Sequence, residues 1–330
     1  NLVTGVQTCA LPIYTDFVLN EYDATRDITT IAVYGGTFHG FDPENNAAEG
    51  AGTNFCAEGY ISVDNGDGTW TVRPGSYVAK VGDVKYETVA AAVAAATAGE
   101  TVELIADVTE DFTITKNLTF DGAEKNYTGT MTVNTSLTVT VQNVNFVKGS
   151  ITEAKGTGGN LTVKNCDFDG VDNSIAYAVT MRGGNTITAE GCTAKNYDYG
   201  FLYVPSAVSN VNVSKTKVEN VNYGVHVAYG NKINIAEVTM TNVAYGIMTQ
   251  NYGAKTITIK DSSISGANPI YVWERNTTVT DTFKFEGANT LAPTEEYTQS
   301  AQAVFELATE RTDRGGTCCH GLGGSTDCRT

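Results

Sequence analysis

Leu161-Thr-Val163-Lys, Ile187-Thr-Ala189-Glu, Val211-Asn-Val213-Ser, Ile233-Asn-Ile235-Ala and Ile257-Thr-Ile259-Lys begin 26, 24, 22 and 24 residues apart, and Val139-Thr-Val141-Gln precedes the first by 22. In each, two apolar residues alternate with polar ones, the pattern of a strand with one buried face. Five and seven places after each start comes a second pair: Val144 and Phe146, Cys166 and Phe168, Cys192 and Ala194, Thr216 and Val218, Val238 and Met240, Ser262 and Ile264. The spacing predicts a second short strand with that pair inward. Nine places on stand Gly170, Asn196, Asn220, Asn242 and Gly266. Gly and Asn tolerate the left-handed backbone, so this column reads as a turn. Tyr199-Gly200, Tyr223-Gly224 and Tyr245-Gly246 then recur and open third strands at Phe201–Tyr203, Val225–Val227 and Ile247–Thr249.

Three short strands and three turns in 22 to 26 residues make one coil of a parallel β-helix. A leucine-rich repeat would show its own Leu pattern, and a propeller blade needs about 40 residues per unit. The expected fold is all-β, a right-handed parallel β-helix (solenoid) in which each coil is buried only by its neighbours. Thr88-Val-Ala-Ala-Ala-Val-Ala-Ala-Ala-Thr-Ala98 is the strong helix signal, with Thr88 as N-cap and Gly99 as stop. It is expected to cap the N-terminal edge of the stack, which would otherwise be open to pairing. A second helix is expected over 291–311.

The run from Tyr77 to Tyr86, then the Ala-rich helix, then Gly99-Glu-Thr-Val-Glu-Leu-Ile105, resembles the opening of right-handed parallel β-helix domains of the pectate-lyase-like superfamily, of the bacterial surface and adhesin type. The resemblance covers residues 77–290. It implies the fold but not an activity, because the superfamily includes lyases, hydrolases, phage tailspikes and adhesins.

The two ends read differently. Residues 3–13, Val3-Thr-Gly-Val-Gln-Thr-Cys-Ala-Leu-Pro-Ile13, translate back codon for codon into a common sequencing adaptor, so 1–13 is left out of fold reasoning and the natural N-terminus is expected to be missing. Residues 14–76 read as the last coil of a preceding β-helix followed by a hairpin closed at Asn65-Gly-Asp-Gly68. Residues 312–330 bring Cys318, Cys319, His320 and Cys328 together, but the spacing fits no zinc module, and a foreign, disordered tail is expected.

Composition narrows the partners. Of 330 residues, 21 are Lys or Arg and 37 are Asp or Glu, a net charge of −16. That disfavours nucleic acid and anionic lipid, which need basic patches. No run of 18 apolar residues occurs, so no membrane insertion is expected. An extracellular or cell-surface location is expected.

Catalysis in this fold, as the resemblance implies it, uses Ca²⁺ held by clustered carboxylates with an Arg base, or paired acids. No Asp-Asp pair, Asn-Thr-Asp or Gly-His-Gly is present. The best acidic cluster is Asp167, Asp169 and Asp172, a weak Ca²⁺ candidate short of oxygen ligands. No catalytic residue is assigned. The third strands place Leu202, His226 and Met248 in one outward column, expected as an exposed apolar stripe, with Arg182, Tyr229 and Arg275 nearby. Such a line suits a glycan, by stacking plus hydrogen bonds. The expected role is therefore a non-enzymatic, carbohydrate-binding surface protein. A polysaccharide lyase or glycoside hydrolase is the alternative, and a phage tail fibre the third reading.

Overall fold

The computed structural model describes residues 18–21, 28–134, 136–153, 158–172, 174–250, 252–273 and 281–294, and beyond them the backbone of strands at 302–303, 305–307, 319–322 and 325–328. Residues 1–13 and 312–318 therefore lie outside the described residues. The chain divides into two compact units, Asn1–Tyr77 and Val78–Thr330.

The second unit is a parallel β-solenoid. First strands at Leu118–Asp121, Thr138–Gln142, Asn160–Lys164, Thr186–Glu190, Asn210–Ser214, Lys232–Ala236, Thr256–Lys260 and Thr282–Glu286 pair in parallel. From Thr138 onward they pair without a register break. Val139, Leu161, Ile187, Val211, Ile233 and Ile257 therefore lie above one another, each at most 1% exposed. A slip by one residue would turn this whole row to solvent, so burial itself enforces the register.

The corner after each first strand is one residue long. Asn143, Asn165, Gly191, Lys215, Glu237 and Asp261 have φ between 48° and 66°. This left-handed residue turns the chain while its N–H still donates to the next coil: Asn143 N to Lys164 O, Asn165 N to Glu190 O, Lys215 N to Ala236 O. The backbone ladder thus continues round the bend, and no buried amide is orphaned there. Lys, Glu and Asp bear a strain of ~1–2 kcal/mol at such positions, which explains why composition does not mark this corner.

The second strands bury the pairs expected of them, from Val144 and Phe146 to Ser262 and Ile264. Phe146 and Phe168 stack at 4.5 Å. Cys166 and Cys192 are buried free thiols, and burial pushes the Cys192 thiol up to about 11. Further along this column, Thr216 and Ser262 satisfy their hydroxyls on the carbonyls of Ser214 and Lys260, at 2.8 Å each. In the later coils the second and third strands fuse into long bent strands, Lys217–Val227, Thr239–Gln250 and Ser263–Trp273, which bend at Asn220 and Asn242 where φ is positive.

A short helix, Val89–Ala95, buries Val89, Ala92 and Val93 in the same core. Thr88 Oγ1 accepts from Ala91 N at 3.1 Å. The Glu110 carboxylate accepts from Val89 N and Ala90 N, and Lys116 Nζ donates to the carbonyls of Ala94 and Ala96. Both helix ends, which leave backbone groups unpaired, are thus held by opposite charges that match the helix dipole. At the other end, where a helix is expected over 291–311, the described residues of that span are strand or extended chain. Thr290–Pro293 stacks on Ser263–Gly266, and Phe305–Leu307 on Ile270–Val272. Leu291 thereby packs against the core, and the backbone of Phe305–Leu307 continues the third-strand ladder, an open strand edge being a stronger template than weak helix propensity.

The first unit also departs from expectation. Its hairpin, Tyr60–Asp64 with Thr69–Pro74, forms as read, but Gly36–His39 adds antiparallel to it. The resulting three-stranded sheet covers Val33, Phe41, Phe55 and Val72. A solenoid coil would need parallel strands, and among the described residues of this unit parallel pairing is confined to the isolated Val33–Cys56 and Ala48–Gly50 bridges.

One core side chain breaks the apolar rule. Glu153 is 1% exposed, in register between Val133 and the column of Met181, and among the described residues neither carboxylate oxygen has a partner. Burial alone pushes its carboxyl up to about 8. A group neutral in the fold and ionised when unfolded costs stability as pH rises from its unfolded value near 4.5 to about 8. Glu153→Gln should flatten that decline and stabilise the protein by several kcal/mol above pH 8, read as urea midpoints across pH 5 to 9. Separately, removing residues 88–98 should expose the first coil and cause association, seen by light scattering. A shortened protein that stays monomeric and equally stable would deny the helix a protective role.

Candidate functional site

The third strands carry the densest aromatic group among the described residues. Register sets its outward column as Thr180, Tyr203, His226, Met248 and Tyr271. A second column runs Tyr177, Gly200, Tyr223, Tyr245 and Asn268. Tyr177 and Tyr203 stack at 4.7 Å, Tyr223 and Tyr245 at 5.2 Å, and Tyr245 meets Tyr271 edge-on at 4.8 Å.

Leu202 is not part of this face. It pairs with Val179 and Val225 and is fully buried in the core. The cause is a one-residue offset in its coil. Matching the Tyr-Gly pairs sets Tyr199 beside Tyr223, but Gly200 is the residue that lies there. A Cβ at Gly200 would come within 1.9 Å of the Tyr223 carbonyl oxygen, so only glycine fits this close approach. Displaced from the ladder, Tyr199 is 48% exposed and leans on Tyr177 at 5.6 Å.

His226 and Met248 do share the outward column, but they are 7% and 4% exposed, not a solvent-facing stripe. Rings fold over them. Tyr203 and Tyr223 lie 4.6 and 5.0 Å from the His226 ring. His226 Nδ1 lies 3.0 Å from Tyr177 Oη, and Nε2 lies 3.2 Å from Gln250 Nε2. With the amide nitrogen facing it, Nε2 accepts, and the proton on Nδ1 donates to Tyr177. Burial holds the imidazole down at about 4, so it is neutral near pH 7.

Behind Gln250 lies a buried ion pair. Lys255 Nζ donates to the carbonyls of Gln250 and Gly253 and sits 3.8 Å from Asp281, which also accepts from Thr249 Oγ1 at 3.2 Å. Burial lowers the Lys255 pKa, and Asp281 opposes that; burial raises Asp281, and Lys255 opposes that. This brace fixes Gln250 and the loop that carries Tyr252.

The solvent-facing surface lies beside the column. Tyr229 and Tyr252 stack at 4.6 Å, nearly parallel, and are 38% and 42% exposed. Arg182 is exposed, and burial raises the pKa of the Tyr203 phenol while the nearby Arg182 charge partly opposes that rise. A shallow groove of about 420 Å³ opens among Asp198, Asn220, Asn222, Asn242 and Thr294, next in sequence to Tyr199 and Tyr223. Arg275 lies outside the described residues. Tyr177, Tyr203, Tyr252, Tyr271 and Gln250 were not read as site residues from the sequence. Extending the tyrosine spacing one coil back, 22 residues before Tyr199, leads to Tyr177.

The acidic cluster is dispersed over separate partners. Asp167 accepts from Thr193 at 2.6 Å, Asp169 from Asn196 and the Lys195 ammonium, and Asp172 from Lys148 at 2.6 Å. The Lys148 contact, followed by that of Ser174, holds the Asp172 carboxyl down at about 2. Among the described residues no three His, Cys, Asp or Glu side chains gather to ligate a metal. No helix among the described residues is long and apolar enough to cross a membrane. Compared with known proteins, the chain matches no family model, no curated protein and no solved structure.

His226 is neutral in the fold but gains a proton when unfolded below pH about 6.5. Stability should therefore fall by up to about 3 kcal/mol as pH drops from 6.5 towards 4. His226→Gln should remove that slope, as chemical denaturation at pH 4.5, 5.5 and 7 would record.

Proposed function

We propose that this chain is a non-catalytic, carbohydrate-binding segment of a secreted or surface-attached protein, built as a right-handed β-helix of the pectate-lyase-like, adhesin type. The observation that carries the reading is the aromatic third-strand face, with the exposed stacked rings of Tyr229 and Tyr252 at its margin. Aromatic faces stack on the C–H faces of sugar rings, and phenol or amide groups nearby bond hydroxyls. The face repeats once per coil, so a linear glycan gains several weak contacts at once. Arg182 offers an exposed cation at one margin for a glycan carboxylate, while the −16 charge works against densely anionic polymers. The buried, neutral His226 accounts for rigidity rather than proton transfer, since its two nitrogens are taken up by Tyr177 and Gln250.

Tyr229→Ala with Tyr252→Ala should weaken glycan binding roughly tenfold or more, two stacking contacts each contributing about 1 kcal/mol, without shifting the melting temperature. A glycan array followed by calorimetric titration of the intact chain tests this. Absence of binding, or equal binding by the variant, overturns the reading. Release of new reducing or unsaturated ends would put a polysaccharide lyase or hydrolase in its place.

A further inference from the structure

The solenoid's first-strand sheet has an outer face unlike the aromatic one. Its central outward column reads Thr140, Thr162, Thr188, Asn212, Asn234 and Thr258, each in direct register with the next. Two residues earlier on the same strands a second column reads Thr138, Asn160, Thr186, Asn210, Lys232 and Thr256. Eleven of these twelve positions are Thr or Asn, and Lys232 is the only charge. The next column, two residues later, carries Lys164, Glu190 and Lys260, so the uncharged field has a sharp border and is not a general property of the surface.

Geometry makes the field a lattice. Neighbouring coils repeat at ~4.8 Å and alternate residues of a strand at ~6.7 Å. Pairing runs unbroken across these strands, with no bulge to disturb either repeat. β-Branched Thr has a stiff χ1 on a strand. The Asn side chains are held to the coil before: Asn210 Nδ2 donates to Thr186 Oγ1 at 3.2 Å, and Asn234 Nδ2 to Asn212 Oδ1 at 2.8 Å. The result is a rigid, two-dimensional array of oxygen atoms interleaved with methyl groups.

Such an array selects its ligand. A glycan chain is periodic in one direction and is gripped by rings, of which these two columns have none. Charged partners find Lys232 within the field and Lys284 at its end, in register with Thr258. A partner periodic in two directions, whose unit is the size of one hydroxyl, matches both repeats. Ordered water is that partner, and the two repeats lie close to those between oxygens on a prism face of ice. We propose that this face binds ice: hydroxyls and amides hydrogen-bond the outermost lattice waters, while the methyl groups hold water in ordered cages between them.

The inference is independent of the glycan reading, which concerns the third-strand face. Intact protein should concentrate in a slowly growing ice hemisphere, shape single ice crystals and slow recrystallisation. Thr162→Lys with Thr188→Lys places two long, hydrated charges in the centre of the field. These changes on the outer, half-exposed face should leave the melting temperature unaltered and reduce ice partitioning to that of a non-binding control protein. Tyr229→Ala with Tyr252→Ala should partition like wild type. Exclusion of the wild type from ice overturns the proposal. So does equal partitioning by the lysine variant, or binding to crystalline cellulose or chitin through these threonines with no enrichment in ice.

Discussion

The structure depends on one constraint: each coil presents a row of unpaired backbone amides and a half-covered apolar face, and only the next coil satisfies both. The ladder runs in register through Val139, Leu161, Ile187, Val211, Ile233 and Ile257. It crosses the corner through the N–H groups of Asn143, Asn165 and Lys215. Everything else is fitted to that stacking. The aromatic face is aligned because the strands beneath it are aligned. Gly200 is glycine because the stack brings the Tyr223 carbonyl to where its side chain would be.

Most of this architecture could be read from residues alone, because inward pairs such as Cys166 and Phe168 recur at fixed offsets and burial has only two faces to choose between. What escaped was local. The Tyr-Gly pairs offered a persuasive alignment, and Tyr199-Gly200 sits one residue out of step with Tyr223-Gly224. That single offset moved Leu202 from the presumed surface to the core. His226 shares the register of Tyr203 and Met248, yet its exposure depends on how Tyr203 and Tyr223 lean, which strand periodicity does not encode. The corner column escaped too, because Lys215 and Glu237 adopt a left-handed backbone that their identity disfavours. At the C-terminal end, propensity suggested helix where an open strand edge imposed strand.

Two unusual ionisable groups contrast in how they are accommodated. Lys255 is fully buried, but carbonyls of Gln250 and Gly253 and the Asp281 carboxylate surround its ammonium. Among the described residues Glu153 has no such company, and it is protonated at neutral pH instead. A buried charge needs partners, whereas a buried acid can discard its charge. The former strategy stands directly behind Gln250, where rigidity supports the aromatic face. The latter sits in the core of an earlier coil, packed beside Gly184.

Coil length varies from 22 to 26 residues, yet the offsets from first strand to second strand to turn are constant. The variation therefore falls after that turn, on both sides of the third strand and most of it ahead of the third strand. Because a coil meets only the coil before and the coil after, a duplicated or deleted coil leaves every surviving interface of the same kind. The length of such a rod is not fixed by closure of a core, as it is in a barrel. Recombination between neighbouring repeats can lengthen or shorten it in whole coils, and each added coil extends both outer faces together.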